Sequence, residues 1–312
     1  MKKLMTMAVD DMVRDGIVLS TLGGRRQRYN YFSYEKSGLT HRFSVNADNV
    51  RHTFGTDRTA HHRFDIRPLK SDDAASLDAA FAKAERLLNE IEAMVAQSAD
   101  SIAIAYTPDD LYRLKREGRR ALMLGIENGY AIGLDPQRVE HFRQRGVVYM
   151  TLCHNGDNDL CDSARGNQEH GGLSELGRTV IREMNRVGMM VDLSHAAESS
   201  FYQAIEASRT PIVCSHSSAR ALCDHPRNLT DDQLRALAAS GGVAQVCLYD
   251  GFLRKEGGAT IDDAVRHIVH MVQVAGIDHV GIGTDFDGDG GIIGCADASE
   301  LINLTRRLRT EG

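Results

Sequence analysis

His195 and His216 each follow a short apolar run, and one amphipathic helix separates the two runs. Met189-Met190-Val191-Asp192-Leu193 leads into Ser194-His195, and Pro211-Ile212-Val213-Cys214 leads into Ser215-His216. Between them, Ala197 to Ala207 puts Phe201, Ala204 and Ile205 on one helical face. The pattern predicts a β-α-β unit that carries both imidazoles to the carboxyl edge of a parallel sheet, the edge where such folds build sites. A third group, Glu127, ends the apolar run Ala121-Leu122-Met123-Leu124-Gly125-Ile126. Two imidazoles and a bridging carboxylate suit zinc or a similar divalent ion. Such an ion with an open position lowers the pKa of its water to about 7. Two ions sharing a carboxylate, about 3.5–4 Å apart, would also polarise a carbonyl.

Three further residues fit hydrolysis of an amide. His154, after the run Val147 to Leu152, is a candidate electrophile toward a developing oxyanion. Asp285, the first acid after the last apolar run, is a candidate for proton transfer to a leaving amine; Asp287 is its close competitor and reads as loop support. Arg227, on the loop after the His216 strand, could clamp a substrate carboxylate bidentately. A lone strand-end histidine is more often packed or solvated than ligating, so the argument rests on the pair. His41, His52, His61, His62, His141, His170, His225, His267, His270 and His279 carry no spacing signal and default to surface or packing.

The elements that must position these groups read as alternating strands and helices. Leu77, Phe81, Ala84, Leu88, Ile91 and Val95 form a helical stripe. Ile102 to Ala105 is extended, and Thr107-Pro108-Asp109-Asp110 opens a helix with a cap, a first-turn proline and first-turn acids. Strands follow at Ala121–Ile126, Val147–Leu152, Met189–Leu193, Pro211–Cys214, Val243–Leu248 and His279–Thr284. Helices follow them around His141-Phe142, from about Leu173 to Val187, over Ala197 to Ala207, after Thr230, over Ile261 to Ala275 and from about Ala298. Glu127, His154, His195, His216 and Asp285 all fall at or just past strand ends. The fold class is α/β, a (β/α)8 TIM-like barrel, provided the first 70 residues add two strands. That region is irregular, with weak strands at Gly16–Ser20 and Arg42–Val45.

Composition narrows the function classes. A formal net charge of −6 over 312 residues gives no electrostatic case for nucleic acid. The six cysteines form no CxxC pair, and Cys214 and Cys247 lie inside apolar runs, so they read as reduced core residues. No run approaches the roughly 18 apolar residues of a transmembrane helix. Met1-Lys2-Lys3 and the short run Leu4 to Val9 imitate the start of a signal peptide, but the run meets Asp10-Asp11 too early. The expectation is a cytoplasmic protein.

Six segments in order carry a resemblance: Gly125-Ile126-Glu127-Asn128-Gly129, Tyr149 to Asn155, Val191 to His195, Ser215 to Arg220, His225-Pro226-Arg227-Asn228-Leu229 and Gly283 to Gly288. Over about residues 72–310 the chain resembles the membrane (renal) dipeptidase family. The resemblance implies a single metal-dependent hydrolase barrel domain over 1–312, poorly readable over 1–70 and family-like over 71–312. It implies a zinc-dependent dipeptidase that cleaves dipeptides with a metal-bound hydroxide and often tolerates a D-residue at the second position. Glu127 matches the bridging ligand, His195 and His216 the ligands of one zinc, and His154, Arg227 and Asp285 the substrate and catalytic residues. The family's first strand also ends in a His-x-Asp pair that completes a second zinc site, and residues 1–70 contain none. An altered region, a divergent subgroup and a decayed site all fit that departure. The alternatives are therefore an impaired relative with one metal, or a single-metal hydrolase of another amide or lactone. The chain also stops soon after its last strand motif; apolar surface left open there would favour a homodimer.

Overall fold

The computed structural model describes residues 17–21, 41–44, 51–54 and 74–311. His61 and His62 lie outside them, as do the side chains of His41 and His52, so the expectations for those residues lie outside the described structure.

The sheet is parallel and curled, and helices cover it in the manner of a TIM-like half-barrel. Its strands are β1 (Ile17–Thr21), β4 (Ile102–Ile104), β5 (Arg120–Glu127), β6 (Val147–Thr151), β7 (Met190–Asp192), β8 (Val213–Cys214), β9 (Val243–Cys247) and β10 (Val280–Gly283). Their order is β1-β5-β6-β7-β8-β9-β10, with β4 also paired to β5. From β5 onward each strand pairs in parallel with the next in sequence, as crossover connections that return to the same edge require. No pairing among the described residues joins β10 back to β1 or β4. β2 (His41–Ser44) and β3 (Arg51–Phe54) form a separate antiparallel hairpin. The weak strands read near Gly16 and Arg42 thus both exist, but only the first joins the main sheet.

The helices follow from the periodicity. α1 (Ala74–Gln97) presents Leu77, Ala84 and Leu88 to the core. α2 (Pro108–Arg116) starts with a capping box in which Thr107 and Asp110 each satisfy the other's backbone N–H. α3 (Gln137–Gln144), α4 (Glu175–Val187), α5 (Glu198–Ala207), α6 (Asp231–Ala239), α7 (Asp250–Leu253), α8 (Ile261–Ala275) and α9 (Leu301–Leu308) complete the cover. Thr230 and Gln233 form a second capping box before α6. Two short elements escape the periodicity argument, the 3-10 turn Gly129–Ile132 and the single turn of α7. Four residues are too few to display a helical stripe.

Strands β7 and β8 are shorter than the apolar runs that predict them. Leu193 still donates its N–H to Val213 O, and Val243 to Ile212 O, so pairing fades gradually. The chain then leaves the extended conformation abruptly: His195 has φ 73°. One apolar core fills the space between sheet and helices, with Leu124, Ile126, Met150, Val191, Cys214, Ala244 and Val246 wholly buried. Each of the Leu, Ile, Met and Val side chains among them contributes about 1.5–3 kcal/mol. Inside the sheet, Gly125 leaves room for the buried Tyr149 ring, whose Cζ would lie 2.1 Å from a Cβ at that position.

Candidate metal centre

Glu127 ends β5 and is 1% exposed, so its carboxylate is held almost wholly out of water. His195 and His216 leave the ends of β7 and β8 and bring their Nε2 atoms to 3.3 Å each from Glu127 Oε1. The two Nε2 atoms are 2.9 Å apart. His154, past the end of β6, brings its Nε2 to 3.9 Å from the other oxygen, Oε2. That oxygen is buried and makes no hydrogen bond among the described residues. Glu127, His154 and His195 can each offer one ligand atom within 4.8 Å of the others. With His216 the site is two overlapping triads that share Glu127 and His195.

Each of the two imidazoles is held from behind. His195 Nδ1 is 3.1 Å from Asn155 Oδ1, and His216 Nδ1 is 2.8 Å from Ser215 Oγ. The positive φ of His195 costs on the order of 1 kcal/mol or more for a residue with a Cβ. It is held because Ala164 N–H donates to His195 O at 2.7 Å. The single Ser163 hydroxyl hydrogen goes to His154 O at 2.5 Å, with His195 O 3.2 Å from the same oxygen, so one serine sits against the backbones of two candidate ligands. The loop bearing Ser163 is organised by two buried acids. Asp157 accepts N–H bonds from Ser163 and Asn167, and Asp162 accepts them from His170 and Gly172. Gly166 has to be glycine because a Cβ there would meet Asp157 Oδ1 at 1.7 Å.

The electrostatics favour ligands rather than ion pairs. Burial, and then Asp285 and Asp287, push the Glu127 carboxyl well above the usual carboxylate range. Burial, and then Arg227 and His154, hold His195 and His216 well below the usual imidazole value. A buried carboxylate with one unpartnered oxygen, facing two neutral imidazoles, is a costly arrangement without a cation. The donor set of imidazole nitrogens and carboxylate oxygen fits zinc.

The cleft beside this cluster is open to solvent on one side and holds about 580 Å3 of empty space, part of it bulk solvent. Glu127, His154, Asn155, Arg165, His195, His225, Arg227, Tyr249, Phe252, Asp285, Gly288 and Asp289 line it. The structure thus brings Glu127, His154, His195, Arg227 and Asp285 to one cleft, and His216 touches Glu127, His195 and Arg227 from behind. Arg227 is 3% exposed; its Nη2 donates to His216 O at 3.3 Å, and its guanidinium lies 5.2 Å from the Phe252 ring centre. Its Nε is buried with no hydrogen-bond partner among the described residues. Asp285 has φ 57°, another strand-end residue in the left-handed region. Partial burial, and then Asp287 and Asp289, push its carboxyl up to about 7 against the opposing pull of Arg227.

Sequence reasoning missed part of the cleft. His225 is not a surface residue: it lines the cleft and accepts the Arg227 backbone N–H through Nδ1 at 3.1 Å. Burial, and then Arg165 and Arg227, bring its imidazole down to about 4. Its place beside Pro226-Arg227 in a family-like segment was the available signal. Arg165 and Asn155 belong to the long loop after β6, which has no periodicity to read.

The chain is similar to known dipeptidases in sequence and in fold. A dipeptidase of Schizosaccharomyces pombe, described as uncharacterized, is 42% identical over 206 residues, 64% of this chain and 50% of that protein. The dipeptidase tcpJ of Claviceps purpurea is 36% identical over 216 residues, 68% of this chain and 51% of that protein. The chain therefore spans about half the length of the curated relatives it matches. Among solved structures, a probable dipeptidase, PvdM, from Pseudomonas aeruginosa is similar with a TM-score of 0.74 and 29% identity, covering 77% of this chain and 76% of that one. A metallopeptidase from Rhodobacter sphaeroides, solved with a phosphinate mimic of L-Ala-D-Ala, has a TM-score of 0.72 and 27% identity, covering 76% and 70%. The sequence profile of the membrane dipeptidases, peptidase family M19, matches residues 45–312, and the chain belongs to that family.

Proposed function

We propose that this chain is a zinc-dependent dipeptidase whose zinc is held by Glu127, His195 and His216. The observation that carries the reading is the convergence of the two imidazole Nε2 atoms on one buried oxygen of Glu127, at the floor of a cleft containing Arg227 and Asp285. A bound zinc would supply Lewis acidity and hydroxide at neutral pH. The chain's own residues then have distinct tasks. Arg227, fixed by Phe252 and His216 O, binds the C-terminal carboxylate of a dipeptide, and its unpartnered Nε belongs to the same guanidinium face. His154 faces the peptide carbonyl and donates to its oxygen as charge develops. Asp285, with its carboxyl near 7, hands a proton to the leaving amine. The L-Ala-D-Ala mimic bound by the Rhodobacter sphaeroides relative makes that dipeptide a first choice for a panel.

The test is hydrolysis of a dipeptide panel, including L-Ala-D-Ala, by the purified chain with zinc, after chelation and after zinc is restored. Zinc-dependent release of free amino acids is expected; no release from any dipeptide in the presence of zinc overturns the proposal. A second reading, an impaired relative with one metal, is favoured by the unpartnered Glu127 Oε2 and by the lack of a His-x-Asp in residues 1–70. Elemental analysis separates the two. About two zinc ions per chain supports the full family chemistry, and about one with weak turnover supports the impaired relative.

A cytoplasmic location is part of the proposal. It is supported by six cysteines that are all free and buried. No helix among the described residues is long and apolar enough to cross a membrane. A homodimer is proposed from exposed Ile277, Ile282 and Ile302 near β10 and α9. A monomeric mass in light scattering would remove it.

A further inference from the structure

Behind His216 lies a polar chain that the chemistry above does not use. Asp192, the last residue of β7, is wholly buried. Its Oδ1 accepts the backbone N–H groups of Ser194 at 3.0 Å and Ser215 at 2.9 Å. Its Oδ2 accepts the hydroxyls of Thr151 at 2.5 Å and Ser215 at 2.6 Å. One carboxylate thus takes four donors from β6, from the turn after β7 and from the turn after β8. An ionised carboxylate can only accept, so the Ser215 hydroxyl hydrogen is committed to Asp192. Ser215 Oγ then has only lone pairs left for its other neighbour, His216 Nδ1, at 2.8 Å. A hydrogen bond there requires the proton to sit on Nδ1. With Nδ1 protonated and the ring neutral, Nε2 carries a lone pair, and that atom is the one 3.3 Å from Glu127 Oε1.

We infer that Asp192 is a positioning residue that acts through the Ser215 hydroxyl to fix His216 as its Nδ1–H tautomer, with the Nε2 lone pair directed at the metal position. The inference rests on the reading of His216 as a metal ligand. His195 is held differently, by the neutral side-chain amide of Asn155 on a loop.

The experiment compares Ser215→Ala, Ser215→Thr and Thr151→Val with the wild-type chain. Thr151→Val removes a bond to the same Asp192 oxygen without interrupting the route to His216, so it controls for loss of local structure. Zinc affinity is read by chelator competition. The His216 tautomer is read on metal-free, 15N-histidine-labelled protein by NMR, with the resonance assigned from its loss in His216→Ala. Ser215→Ala is expected to weaken zinc roughly 10–100-fold and to lose the pure Nδ1–H signature. Ser215→Thr should restore both, and Thr151→Val should hold zinc affinity within about threefold, below the roughly 10–100-fold expected for a group that hydrogen-bonds the ligand itself. The inference is overturned if Ser215→Ala keeps wild-type affinity and tautomer, or if Thr151→Val weakens zinc equally. If the wild-type chain takes up no zinc, the ligand reading itself fails, and the metal-free tautomer alone decides whether Ser215 sets the ring.

Discussion

The two carboxylate oxygens of Glu127 face different surroundings. Oε1 meets two imidazole nitrogens, each 3.3 Å away. Oε2 makes no hydrogen bond among the described residues, and His154 Nε2 stands 3.9 Å from it. Behind the Oε1 side stands a second layer of fixed groups, Asn155, Ser215 and Asp192. On the Oε2 side the family resemblance calls for a His-x-Asp pair, and residues 1–70 hold none. The contrast teaches that preorganisation here is local. Each oxygen depends on whichever strand ends deliver partners to it, so the surroundings of one can be built while those of the other differ.

The largest effect that would probe this contrast comes from the residue both halves share. Glu127→Gln keeps the shape and removes the charge. It should weaken zinc more than about 100-fold and reduce dipeptide turnover by about 1000-fold or more, roughly 4 kcal/mol of barrier. Wild-type zinc affinity in that variant would break the comparison at its root.

Next come the two sides taken separately. His216→Ala should cost zinc affinity roughly 100-fold, because it removes a ligand from the Oε1 side. His154→Ala should hold zinc affinity within about threefold while kcat falls about 100-fold, the loss of one donor to an oxyanion. Chelator competition together with steady-state kinetics reads both quantities. Equal loss of zinc in the two variants would mean that the oxygens are equivalent and His154 is a ligand.

A smaller effect is expected at Arg227, which touches the carbonyl of His216 but neither oxygen of Glu127. Arg227→Lys should raise KM for dipeptides by about tenfold, since a point charge replaces a planar fork, with zinc stoichiometry unchanged. A fall in zinc content in this variant would show that the clamp and the metal cluster are one unit.

A separate effect, on stability rather than on zinc or turnover, lies away from both oxygens. His267 on α8 is buried; its Nδ1 accepts the Ala219 N–H at 3.1 Å and its Nε2–H donates to Leu253 O at 3.2 Å. The ring therefore has to be neutral, and burial brings it down to about 4 from an ordinary 6.5. Between those two pH values the unfolded chain binds a proton that the folded chain refuses, so stability falls as pH falls from 6.5 toward 4. Relative to His267→Gln, the wild type should lose up to about 3 kcal/mol across that window. Urea unfolding of both proteins at pH 7 and pH 4.5 checks it; a constant difference between them would show that His267 is not neutral in the fold.

Much of this molecule is legible along the chain, for a physical reason. Apolar periodicity, capping boxes and glycine stops act over a few residues, so Thr107, Thr230 and Gly276 mark helix ends in the sequence and in the structure alike. The placement of Glu127, His154, His195, His216 and Asp285 after apolar runs is local in the same sense, and strand ends in a parallel sheet share one edge. What the chain alone could not show is convergence. That His195 and His216 would meet on the same oxygen depends on the β7 and β8 register and on a left-handed backbone at His195 that no propensity favours. The place of His225 in the cleft, the Arg165 loop hung on Asp157 and Asp162, and the four donors gathered by Asp192 all join segments far apart in sequence. Such contacts form only when the sheet closes the distances between them, and tertiary structure alone decides them.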